Sequence, residues 1–310
     1  MSKVALIIIY NHQYNENIDV LENIYNHRFS DIYHLVPFYS GKKENVIPVY
    51  ESSWYFQGYA AQGFHSYFKE KYSHYFFIAD DLMLNPKINE NNYSDIFNLD
   101  KETSFIPFFI TLHERKIYWL WVKDAYFWGK KESGVEMGKC LPDYDTAKNI
   151  FFKFGLTIEP LRFGQIWDTK QSWIKFLCSR DFFKRFNFFC RYLLDDRIRQ
   201  KLYNLSYPFV GGYSDIFIVS AKSIREFCHY CGVFAATKLF VEVALPTSMV
   251  LSAYKIVTEK DLSLQGKSLW SKEEYKEVER YNNSLTALMN DFPPGYLYLH
   301  PIKLSKWKIG

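Results

Sequence analysis

Apolar residues along this chain change period in a regular way. Lys3–Tyr10 (KVALIIIY) is almost continuously apolar and β-branched, which predicts a strand covered on both faces. Polar residues follow at Asn11, His12 and Gln13, and then Ile18, Leu21, Ile24 and Tyr25 recur at helical spacing. Asp31–Phe38 reads as a second strand, Val46–Tyr50 as a short one, Gly58–Lys71 as a helix, and Tyr75–Ala79 as a third buried strand that ends at Asp80-Asp81. Strand–helix–strand alternation of this kind predicts an α/β fold: an open, mostly parallel sheet flanked by helices, with its sites at the carboxyl ends of the strands.

Beyond Pro86 the pattern loosens. Asn89–Asn98 reads as a polar loop, Ser104–Ile110 and Arg115–Val122 as strands, Lys130–Asp145 as a loop, and Asp145–Phe154 as a helix closed by Gly155. Trp173–Asn204 sets a helical stripe (Phe182, Phe186, Phe189, Leu193) among eight basic residues and three aspartates, which predicts a helical aromatic and basic insert. Ser214–Ser220 returns to strand, Ala221–Cys231 is a helix stopped at Gly232, and Thr237–Tyr254 is largely apolar around Pro246. Ser271 with Glu274 forms a capping box that opens a helix to about Asn290, and Tyr296–Ile302 is a last strand. One catalytic domain over 1–310 is expected, with halves at about 1–100 and 205–310 and an insert or helical subdomain at 101–204.

The 48% hydrophobic content supplies a large core, and a net charge of +4 does not argue for nucleic acid. The 20% aromatic content exceeds what packing needs and predicts an aromatic groove or interface. Five cysteines without a secretion signal point to a reduced, cytoplasmic protein. Cys228 and Cys231 lie within a helix and have no second pair, so they read as packing residues. The apolar runs are too short to span a membrane, which leaves peripheral contact with an inner membrane open.

Four features could carry chemistry. Asp80-Asp81 places two carboxylates at a strand end, where mutual repulsion favours a divalent cation; a solvated turn is the plain alternative. His300 suits a transition-metal site or is a satisfied core histidine. Gly211-Gly212 lets a ligand approach the backbone or simply makes a turn, with Tyr213, Ser214 and Asp215 supplying polar contacts. Glu242 stands alone among apolar residues, as a raised-pKa general base or as the wet face of a helix.

In this order the four features, with Tyr10–Asn15 after the first strand, resemble the GT-A-fold nucleotide-sugar glycosyltransferases of bacterial surface-polysaccharide (capsule or lipopolysaccharide) synthesis. The resemblance spans nearly the whole chain. It implies Tyr10 and Asn11 near the nucleobase or ribose, Asp81 and His300 on a Mn2+ or Mg2+ ion, and Asp80 at ribose or metal-bound water. It further implies Gly211, Gly212 and Asp215 at the sugar, Lys303 near the diphosphate, and Glu242 as the base of an inverting reaction. The partners implied are a nucleotide diphosphate sugar donor and a glycan or lipid-linked glycan acceptor. Here the acidic motif has no spacer, Val243 follows Glu242 where the family carries a second acid, and Leu99–Pro208 matches no core element.

A nucleotidyltransferase would need a glycine-rich, basic loop after the first strand, and residues 11–15 contain no Gly, Lys or Arg. A non-catalytic glycan-binding or scaffold protein on the same fold is the alternative from another class.

Overall fold

A computed structural model describes residues 3–115, 119–129, 136–166, 186–187, 190 and 194–308. The first strands and helices form where the apolar periods place them. They are β1 (Lys3–Ile9), α1 (Glu16–Tyr25), β2 (Ile32–Pro37), β3 (Val46–Val49), α2 (Gln57–Tyr67) and β4 (Tyr72–Ala79). The chain continues through β5 (Met83–Leu84), β6 (Thr103–Phe105), β7 (Phe109–Thr111), β8 (Val210–Gly212) and β9 (Ile216–Ser220). It closes with β10 (Lys255–Val257), β11 (Gln265–Ser268) and β12 (Tyr296–His300).

Seven strands make one sheet in the order β10-β6-β9-β4-β1-β2-β3. β9 runs antiparallel to both of its neighbours, while the pairs β3–β2, β2–β1, β1–β4 and β6–β10 are parallel. The mostly parallel α/β sheet is therefore as expected, with one reversed strand in it. Alternation along β1 divides the core. Val4, Leu6, Ile8 and Tyr10 face α1 and the C-terminal segments, whereas Ala5, Ile7 and Ile9 face α2 and the Ile224–Ala236 helix.

Several elements differ from the sequence expectation or were left open by it. Residues 120–126 are a helix (Leu120–Tyr126), because burying Val122, Ala125 and Tyr126 on one face outweighs their strand propensity. A short helix, Tyr93–Ile96, interrupts the polar 89–98 loop and buries Tyr93. The helix expected to stop at Gly232 runs through it from Ile224 to Ala236. A Cβ at Gly232 would lie 3.3 Å from the Ala61 Cβ, so this glycine serves close helix packing. Pro246 sits inside a helix, Val241–Ser252. The capping box of Ser271 forms, but the helix it opens ends at Glu279. Asn282 and Asn283 then turn the chain at positive φ before a second helix, Leu285–Asn290.

At the start of the 101–204 segment, β6 lies inside the central sheet. Of the rest of that segment, Phe151, Leu161 and Ile198 share a core with Phe234, Val243 and Val250 of the two long helices. Most of the aromatic and basic stripe expected at 173–204 lies outside the described residues. Cys228 and Cys231 are buried within their helix. No helix among the described residues is long and apolar enough to cross a membrane.

Candidate functional site

β1 has β2 on one side and β4 on the other, so the connections from β1 and β4 lead toward opposite edges of the sheet; this is a topological switch point, where open α/β sheets carry their ligand crevice. Asp80 and Asp81 emerge there. The Asp80 amide donates to the Ile9 carbonyl (2.9 Å), which ties the end of β4 to the end of β1. Asp80 is 4% exposed. Its carboxylate accepts from Asn17 Nδ2 (3.1 Å) and from the Asn11 amide. Burial, and next the neighbouring Asp81 charge, push its pKa up to about 7, and those two donors only partly oppose the rise.

A second, three-stranded sheet delivers His300. β5 follows directly after Asp81 and pairs antiparallel with β12, with Met83 opposite Leu299. The Ile302 amide then donates to the Asp81 carbonyl at 2.7 Å. Residues 219 positions apart are thus joined: His300 Nε2 lies 3.0 Å from Asp81 Oδ1. The other ring nitrogen, Nδ1, is hydrogen-bonded to the Tyr213 hydroxyl and lies 3.9 Å from Asp215 Oδ2. Burial works to lower the His300 pKa, but Asp215, Asp81 and Asp80 together hold it above the ordinary value. Asp215 is placed by β9, and its carbonyl accepts from the Ala79 amide at 2.8 Å. Its carboxyl is pushed up by burial, and His300 opposes the rise.

Glu242 lies in the first turn of the Val241–Ser252 helix. Ser214 Oγ donates to the Val241 carbonyl, which sets that turn beside Asp215. Pro246 lacks the N–H that would return to the Glu242 carbonyl, so that one helical hydrogen bond is not made. Burial, and then the Asp215 charge, raise the Glu242 pKa to about 7, while Arg115 acts in the opposite direction. Asp80 and Glu242 are thus both pushed up to about 7, the first chiefly by burial and Asp81, the second chiefly by burial and Asp215.

The structure thus brings together Asn11, Asp80, Asp81, Asp215, Glu242 and His300. It does not bring in Tyr10. That residue takes the α1-facing phase of the strand alternation, is 0% exposed, and donates its hydroxyl to His34 Nδ1 at 2.9 Å. His34 is held neutral by burial, with its pKa lowered to about 4, and so accepts that bond. Gly211 and Gly212 are buried in β8 without positive φ. A Cβ at Gly212 would lie 2.5 Å from the Phe108 carbonyl oxygen, and one at Gly211 would lie 3.0 Å from the Trp119 ring. Protein fills the space reserved in the sequence reading for a sugar, and these glycines serve close packing. Lys303 is exposed, one residue past Ile302, and makes no ion pair with the described residues.

Two contributors had little signal in the sequence. Asn17 is one of many asparagines, and Arg115 is one of many basic residues; only the fold sets them beside Asp80 and Glu242.

No group of three or more His, Cys, Asp or Glu side chains among the described residues is arranged to hold a metal ion. Both His300 nitrogens are engaged, one by Asp81 and one by Tyr213, so in this structure His300 orients Asp81. The donor chemistry nevertheless fits a hard divalent cation, because one or two carboxylates suffice when substrate phosphate oxygens complete the shell. No family model matches this chain, and no curated protein matches it.

Proposed function

We propose that the protein is a glycosyltransferase that moves a sugar from a nucleotide diphosphate sugar to a hydroxyl of a glycan or glycolipid, with inversion, in bacterial surface-polysaccharide synthesis. One observation carries this reading. At the crevice between β1 and β4, Asp80, Asp81, Asp215 and His300 converge, and Glu242, a carboxyl with a pKa near neutrality, stands beside them.

Each residue has a task in that reaction. Asp81, steadied by His300, and Asp80, steadied by Asn17 and the Asn11 amide, would hold Mn2+ or Mg2+. When bound, the cation supplies charge that stabilises the departing diphosphate. Glu242 takes the proton of the acceptor hydroxyl. A pKa near 7 suits this role, because a useful fraction is ionised at neutral pH and the carboxylate remains basic. The Tyr213–His300–Asp81 chain fixes the orientation of the cluster before substrate arrives, which reduces the reorganisation needed during reaction.

Calorimetry with UDP, GDP, CMP and TDP, in manganese and in chelator, tests the reading on the wild type and on Asp81→Ala. Manganese-dependent binding of one diphosphate, lost in Asp81→Ala, supports it and names the donor class. A folded protein that binds none of the four overturns it and leaves a glycan-binding protein on this fold as the better account.

A further inference from the structure

The Glu242 side of the cleft carries a feature that donor binding leaves unused. Trp54 lies in the 3-10 turn Ser53–Tyr55, which leads from the carboxyl end of β3 into α2, and is 54% exposed. Its ring centroid is 4.9 Å from that of Trp121 and 5.6 Å from that of Phe240. Trp121 lies flat on Phe240, with centroids 3.4 Å apart and planes 13° from parallel. Three distant segments thus meet in one aromatic shelf, closed at its Phe240 end, which is 9% exposed, and open at Trp54. An indole held against two ring partners yet half uncovered presents a fixed flat face on which a ligand ring can stack.

The position of the shelf narrows the choice of ligand. Phe240 is the N-cap residue of the Val241–Ser252 helix, so the shelf ends two residues before Glu242. Polar groups border it. Arg115 is the positive charge acting on Glu242, and its Nε is buried without a hydrogen-bond partner. Gln57, at the start of α2, is fully buried; its Nε2 donates to the Leu239 carbonyl at 2.9 Å, and its Oε1 has no partner. A flat apolar surface that ends two residues before a carboxylate, with a guanidinium acting on that carboxylate, complements a pyranose, whose ring C–H face is apolar and whose rim carries hydroxyls that donate and accept. An acyl chain would cover the shelf but leave that polar edge desolvated and unpaired.

We propose that Trp54, Trp121 and Phe240 form an acceptor-saccharide subsite in which a pyranose stacks on Trp54 and turns a hydroxyl toward Glu242. Its role as an acceptor site rests on the sugar-transfer reading; its affinity for a saccharide does not.

Saturation-transfer NMR tests the subsite. The probes are methyl β-glucopyranoside, methyl β-galactopyranoside and decyl β-glucopyranoside, on the wild type, Trp54→Ala and Trp54→Tyr. Trp54 is half exposed, so its replacement leaves the core intact. Saturation is expected at the ring C–H protons of at least one probe. Binding should weaken about tenfold in Trp54→Ala, the scale of one lost aromatic stack, and largely return in Trp54→Tyr. Nucleotide affinity, titrated separately, should be equal in all three proteins. No saturation of any probe, or equal saturation in Trp54→Ala, overturns the subsite. So does saturation confined to the decyl chain, which would mark a lipid surface, or a nucleotide affinity that falls with Trp54, which would assign the shelf to the donor. Trp54-dependent sugar saturation in a protein that binds no nucleotide supports the saccharide site and overturns the transfer reading instead.

Discussion

Placing Glu242 where it stands costs the fold stability, and the cost has a calculable pH dependence. Burial and the Asp215 charge lift its pKa from 4.5 to about 7. A carboxyl with a raised folded pKa holds its proton more tightly in the folded chain than in the unfolded one. The structure is therefore most stable, as far as this group is concerned, below about pH 4.5, and it loses stability as pH rises toward 7. At about 1.36 kcal/mol per pH unit, the full loss above pH 7 is about 3 kcal/mol, and at pH 5 it is less than about 1 kcal/mol. Glu242→Gln keeps the shape and removes the charge. It should therefore stabilise the protein by about 3 kcal/mol at pH 8 and by less than about 1 kcal/mol at pH 5. Thermal unfolding of both proteins at the two pH values measures this, and Asp80 and Asp215, present in both, cancel to first order. The same substitution should lower turnover by about 10²–10⁴-fold, the usual contribution of a general base. A gain of equal size at both pH values, or a loss at pH 8, would refute the reasoning, because the side chain would then not be held in an environment hostile to its charge.

Four further substitutions test local packing and backbone strain. Gly212→Ala forces a Cβ against the Phe108 carbonyl oxygen and should cost about 1–3 kcal/mol, whereas Gly138→Ala, in a short helix with nothing within 4 Å, should gain up to about 1 kcal/mol; urea unfolding distinguishes them. Tyr10→Phe strips His34 Nδ1 of its only donor and should destabilise by about 1–3 kcal/mol while leaving nucleotide affinity, read by calorimetry, unchanged. Phe38 holds φ at +55° on an exposed turn, so Phe38→Asn should raise the thermal midpoint by relieving about 1 kcal/mol of backbone strain, offset only by the lost Tyr50 ring contact.

The first half of the sheet was legible in the chain because its signal is local. Val4–Ile9 and Tyr75–Ala79 are apolar on both faces, and short β-branched or aromatic runs of that kind favour a covered strand. The acidic pair could be seen for the same reason, since it stands where such a run stops. Tyr10 shows the limit of that reasoning. Its position after β1 suggested the cleft, but the two-residue alternation of the strand sends its ring under α1. The Gly232 and Leu120–Tyr126 misreadings share a cause: a glycine or a Trp-rich run has a weak local preference, and contact with Ala61, or burial of Tyr126, overrides it. Taken alone, the sequence determined an α/β chain with a mostly parallel sheet and a pair of carboxylates where the Tyr75–Ala79 strand ends. Only the tertiary structure decided that Asp81 meets His300, that Asp215 presses on Glu242, and that Trp54 joins Trp121 and Phe240. Those contacts join residues far apart in the chain, and their energies depend on distance and burial, which no local pattern encodes.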